Sequence, residues 1–149
     1  MLQWYKDDEL CIYFSNIPKP ITRYINTAIH TKKEQKNIKK YPFMLLQSLS
    51  VEVHYDDKTY KFTIPKNYKW DGATIPKFFW RVIGAKTDNT FLIASCVHDI
   101  LCEQKHYINN DRNLSSKIFR ALLITGGVSK FKSQIMYLAV DNFQRFCNW

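Results

Sequence analysis

The chain has 149 residues, 46% of them hydrophobic and 23% charged, enough for one core and far from the composition of disordered chains. No apolar run approaches the ~20 residues of a membrane-spanning helix, and the start MLQWYKDDEL lacks the charged-then-apolar layout of a signal peptide; membrane-spanning and secreted readings are set aside. The formal charge of +9 admits an anionic partner, yet it comes from 17 Lys and only 5 Arg spread over both halves of the chain, a solubilising pattern more than one of nucleotide or nucleic-acid recognition.

Residues 1–65 read mostly as strands: Leu10 to Phe14, Ile21 to Asn26, Met44 to His54 and Thr59 to Ile64, rich in β-branched and aromatic side chains. The alternation in VEVHYDDKTYKFTI predicts a hairpin turning at Asp56-Asp57-Lys58. The lysine-rich TKKEQKNIKK, Thr31 to Lys40, reads as a solvated loop or short helix. A turn follows at 66–76. From Pro76 to the end helical spacing takes over, beginning with the short amphipathic KFFWRVIG closed by Gly84.

Asn89 to Lys105 is the first long predicted helix, with Ile93, Val97, Ile100 and Leu101 on its core face. Asp111 to Ile124 is the second, with Leu114, Ile118, Ala121 and Leu122 aligned and Gly126-Gly127 as its stop. Ser129 caps a third, whose core stripe is read as Phe131, Ile135 and Leu138, widened by Met136, Val140 and Phe143. The tail aromatics Phe146 and Trp149 are expected to pack as core. The fold class is therefore α+β: one domain over 1–149, with a small antiparallel N-terminal sheet followed by three or four C-terminal helices.

Cysteines stand at Cys11, Cys96, Cys102 and Cys147, without a CxxC pair or the density of a disulfide scaffold, which points to reduced thiols. Cys96 and Cys102, six apart on one helix, face too far from each other to bridge.

Two segments carry candidate chemistry. WDGATIP, Trp70 to Pro76, joins the strands to the helices: Asp71-Gly72 forms a turn, Thr74 can cap, and Pro76 suits a helix start. It reads either as a well-made connection or as a loop in which Asp71 holds a cation. SCVHDILC, Ser95 to Cys102, places His98-Asp99 inside an otherwise apolar helix, either as a base beside a cation ligand or as satisfied boundary residues. His98, Cys102 and His106, at i, i+4 and i+8, also admit a zinc reading.

The order TIPKNYKWDGATIPKFFW, ASCVHDILC and SSKIF resembles an uncharacterised family common in bacteriophages and prophages. Its pattern is a strand leading to Asp-Gly-Ala-Ser-(Ile or Val)-Pro, a short aromatic helix, His-Asp-x-Leu-Tyr, then Ala-Asp and an aromatic. The likeness covers roughly residues 44 to 146 and matches Asp71, Gly72, Ala73, Ile75, Pro76, His98, Asp99, Leu101 and Phe119. Thr74 stands for Ser, Cys102 for Tyr and Ser116 for the later Asp.

That family's helical half is similar to secreted and parvoviral phospholipases, in which a His activates water, the next Asp binds calcium and a second Asp orients the His. The resemblance implies His98 as base, and Asp99 with Asp71 as calcium ligands. Trp70, Gly72, Thr74 and Cys102 would line the site. With Ser116 in place of the orienting acid, it also implies a non-catalytic protein of the virion or the infected host cytoplasm, engaging phage or host proteins. A soluble protein binding an anionic ligand or a defence factor is the third expectation.

Overall fold

The computed structural model describes residues 1–72, 75, 78, 81 and 89–149, the side chains of 89, 90, 147 and 148 excepted. The expected helix KFFWRVIG and the residues Thr74, Pro76 and Gly84 lie wholly or mainly outside this set.

The strand half forms two antiparallel sheets where one was expected. The larger has the order β1-β2-β5-β6, from β1 (Leu2–Lys6), β2 (Leu10–Phe14), β5 (Leu49–Tyr55) and β6 (Lys58–Ile64). The smaller has the order β3-β4-β7, from β3 (Pro20–Thr22), β4 (Phe43–Leu45) and β7 (Lys69–Trp70). The single strand expected over Met44 to His54 is broken at residues 46–48, so β4 and β5 join different sheets. The strand expected over Ile21 to Asn26 ends at Thr22.

Alternation sets the inward face. Leu10, Ile12 and Phe14 of β2, Leu49, Val51 and Val53 of β5, and Tyr60, Phe62 and Ile64 of β6 are all buried. In the β5–β6 hairpin Val51 faces Phe62 and Val53 faces Tyr60. Its turn residues Asp56 and Asp57 have φ of 51° and 58°, matching the right-handed twist of the strands they join.

TKKEQKNIKK resolves as a short helix, α1 (Lys32–Lys40), in which the Thr31 side chain accepts from the Glu34 amide and only Ile38 is buried. Its lysines stay in solvent. After β7 come α2 (Asn89–Glu103), α3 (Arg112–Thr125) and α4 (Lys130–Phe143), the last running into a π-helical segment (Gln144–Asn148). The expected cap is present, Ser129 accepting from Lys132 N at 3.2 Å, while Asp111, read as the first residue of its helix, is itself a cap and accepts from Leu114 N at 2.9 Å. One cluster of buried residues draws on both sheets and on α2, α3 and α4.

The stripe assigned to α4 is inverted. Phe131, Ile135 and Leu138 are 76%, 44% and 50% exposed, whereas Met136 and Val140, read as widening the stripe, are fully buried. Phe146 of the tail is 77% exposed, not core. The helix carries two apolar stripes, and its packing against α3 selects the narrower one. Met136→Ala should therefore cost ~2 to 5 kcal/mol in urea unfolding. Phe131→Ala should stay within ~0.5 kcal/mol of wild type; the reverse order would contradict the packing.

Candidate functional site

Strand β7 and the turn after it lie under α2. Trp70 is 1% exposed, its ring stacked on Tyr68, and its Nε1 donates to Ser95 Oγ at 3.0 Å. Ser95 Oγ donates onward to Leu92 O at 3.1 Å, so the hydroxyl is used in both roles.

One turn further along the helix, Asp99 Oδ2 accepts from the Gly72 amide at 2.9 Å. Gly72 has φ of 74°, a conformation that glycine adopts without a Cβ clash, and this aims its N–H at the carboxyl. Its carbonyl accepts from Ile75 N at 3.1 Å, which sends the Ile75 side chain into the core. Ser95 and Asp99, four apart, thus form one face of α2 gripping two successive points of the WDG segment.

His98 points about 100° away, towards α3 and the C-terminal segment. It is completely buried, with its ring centroid 5.2 Å from that of Phe119. Its Nδ1 lies 3.9 Å from Cys102 Sγ, and the buried Gln144 side chain hydrogen-bonds the imidazole. Gln144 Nε2 also donates to Cys102 Sγ at 2.7 Å, and its Oε1 lies 3.4 Å from Ser115 Oγ. Burial pushes the His98 pKa down to about 4 against the partial opposition of Gln144, so the imidazole is neutral at pH 7.

Ser116, at the position where the family pattern has an acid, is buried and donates to Asp141 Oδ1 at 3.0 Å. Arg112 Nε reaches the same oxygen at 3.4 Å. The carboxylate of Asp141 from α4 thus meets Ser116 and Arg112 of α3. Asp111, five residues before Ser116, is engaged as the α3 cap.

The same face of α2 continues, one turn beyond Asp99, to Glu103. Glu103 has its pKa raised by burial and by the charge of Asp71, with a hydrogen bond from Tyr68 opposing. The buried Cys96 thiol is pushed well up by burial and by the charges of Asp99 and Glu103, which makes it inert. Among the described residues no group of three or more His, Cys, Asp or Glu is placed to hold a metal ion, and one oxygen of Asp99 is engaged with Gly72. The described residues do not gather the zinc set of His98, Cys102 and His106, and the loop that would complete a calcium set around Asp71 and Asp99 includes residues 73 and 74, outside the described ones. His106 falls in the separate 3-10 turn Lys105–Ile108.

Of the residues expected at a site, the structure brings Trp70, Gly72 and Asp99 together on one side of α2 and His98 with Cys102 on another. Thr74 is outside the described residues. Sequence reasoning missed Ser95, Asp141 and Gln144. The available signal for Gln144 was its spacing of four from Val140 and eight from Met136, a polar residue in a core position.

Residues 47–140 match a family described as Protein of unknown function (DUF1353). An uncharacterised protein of Sinorhizobium fredii (strain NBRC 101917 / NGR234), y4jT, is 33% identical over 99 residues, which is 66% of this chain and 29% of that protein. The chain thus spans under a third of that relative's length. No solved structure matches it.

The buried neutral His98 carries a pH consequence. Its folded pKa of about 4 lies below the ordinary 6.5, so the unfolded chain binds the extra proton first as pH falls. The stability it contributes is full above pH 6.5 and is lost on acidification towards about pH 4, by on the order of 3 kcal/mol. Urea unfolding across that window should show a shallower slope in His98→Gln; an identical slope would contradict the neutral, buried assignment.

Proposed function

This chain belongs to the family described as Protein of unknown function (DUF1353), and from that premise we propose that it is a non-catalytic accessory component of a phage or prophage. It acts in the virion or the infected host cytoplasm on other phage or host proteins. The phage assignment rests on the motif resemblance. The non-catalytic part rests on one observation: the Asp99 carboxyl, 3% exposed, accepts from the buried Gly72 amide. A ligand for calcium needs carboxylate lone pairs turned to the ion. In this chain one such oxygen serves the backbone of the very turn that a metal loop would use. The shared residues Gly72, Ile75 and Asp99 then hold sheet to helix, which is reason enough for their pattern.

A second reading, hydrolysis of a lipid or envelope ester centred on His98, is favoured by the contact of that neutral imidazole with Cys102 and Gln144. A neutral imidazole held in one orientation is the form that a general base requires. The missing acid weakens it, because Gln144 cannot take up the charge that a carboxylate would balance in the protonated state.

Thermal melts in EDTA, calcium and zinc separate the two, since an ion bound only by the folded chain raises the midpoint. The non-catalytic reading expects no shift from either ion, and a loss of ~1 to 3 kcal/mol in Asp99→Ala from the orphaned amide. A calcium shift that disappears in Asp99→Asn, together with ester turnover lost in a stably folded His98→Ala, would establish the hydrolase instead.

A further inference from the structure

The face of α4 turned away from α3 is an apolar ridge in solvent. On a helix of 100° per residue, Phe131, Ile135 and Leu138 fall within about 60° of one another, opposite the buried Met136 and Val140. Phe146 continues the exposed apolar surface beyond the helix end, at 77% exposure. Four large side chains left out of the core along one terminal element form a patch of the kind that marks interaction sites on soluble proteins.

Charge around the ridge has one sign. Lys130 and Lys132 flank Phe131 on its two sides, and Arg145 precedes Phe146; all three are exposed. The only acid between 130 and 149 is Asp141, which is turned inward to Ser116 and Arg112. Elsewhere the acids segregate: five of the thirteen, Asp7, Asp8, Glu9, Asp56 and Asp57, line a cavity of about 750 Å³ at the hairpin turns. The α4 face is therefore basic at its rim and aromatic and aliphatic along its crest.

We propose that this face docks on an anionic lipid bilayer, with Phe131, Ile135, Leu138 and Phe146 entering the headgroup–acyl boundary and Lys130, Lys132 and Arg145 meeting lipid phosphates. An apolar crest on an exposed helix face enters a fluid interface without needing a complementary groove. Basic side chains beside such a crest add attraction to anionic headgroups that salt screens. Single-stranded nucleic acid is disfavoured, because Ile135 and Leu138 offer no ring for base stacking between the two phenylalanines. The inference is independent of whether His98 is catalytic, because the ridge side chains are exposed whereas His98 is completely buried.

The test is co-sedimentation of the full chain with vesicles of phosphatidylcholine containing a minority of phosphatidylglycerol, against vesicles of phosphatidylcholine alone. The anionic vesicles should bind, the neutral ones much less, and high salt should weaken binding. Phe131→Ser with Phe146→Ser should lower partitioning at least about ten-fold, with the melting midpoint unchanged since both rings are largely exposed. Lys130→Glu with Lys132→Glu should weaken anionic binding and leave the neutral baseline alone. Absence of vesicle binding would overturn the proposal, as would equal binding by wild type and variants. A dimer in analytical ultracentrifugation that the serine variants dissolve, or oligonucleotide binding lost in them while vesicle binding persists, would assign the face to another occupant and overturn it as well.

Discussion

The contact between the Asp99 carboxyl and the Gly72 amide is the constraint on which the arrangement around α2 depends. Both groups are buried, and a carboxyl or a backbone N–H taken out of water without a partner costs free energy comparable to the interactions that hold a domain together. Each therefore requires the other. Satisfying them fixes the left-handed conformation at Gly72, which sets the path of the chain between β7 and Ile75. Trp70, donating to Ser95 one helical turn away, prevents α2 from rotating about that single point. Two bonds of specified direction thus tie β7 and its turn to α2, and Lys117 of α3 adds polar contacts to the larger sheet by donating to Glu9 and to Tyr55.

Once α2 is fixed in rotation, the placement of His98 follows. A residue next to Asp99 must lie about 100° around the helix, and here that direction leads into the packing between α2, α3 and the C-terminal segment. An imidazole in such a place is held neutral, and its polar contacts come from the protein: Gln144 and the thiol of Cys102. The adjacent His-Asp pair thus divides its work, Asp99 binding the turn and His98 the C-terminal segment. Ser116 of α3 donates to Asp141 from the neighbouring helix.

Much of this fold was legible in the chain itself. The β5–β6 hairpin announces itself through strict alternation and a turn whose residues tolerate positive φ, and α3 and α4 through Asp111 and Ser129 at their starts. The elements that escaped are those with little periodic pattern of their own. Strand β1 is an exposed edge with a bulge near Gln3, and β7 is two residues long and exists through its pairing with β4. The inversion of α4 has a different cause. Phe131, Ile135 and Leu138 satisfy helical periodicity as well as Met136 and Val140 do, and periodicity reports that a face is apolar without saying which neighbour covers it.

The candidate site was legible in half. Trp70, Gly72 and Asp99 were grouped only through the motif resemblance, whereas turn chemistry and a carboxyl inside an apolar helix marked the two segments separately. Gln144 and Asp141 were not recognisable, since they come from a helix and a tail more than 40 residues further on than His98 and only tertiary packing brings them near. The same holds for Ser95, an unremarked hydroxyl until Trp70 is laid against it.

Native-state hydrogen exchange at the Gly72 amide tests the central claim most directly. If Asp99 holds that amide within the core, it should exchange only when the whole chain unfolds, with a protection free energy equal to the global stability. Exchange of Gly72 at a rate near that of an unstructured peptide, while the core of β5 stays protected, would contradict the join between sheet and helix on which the account is built.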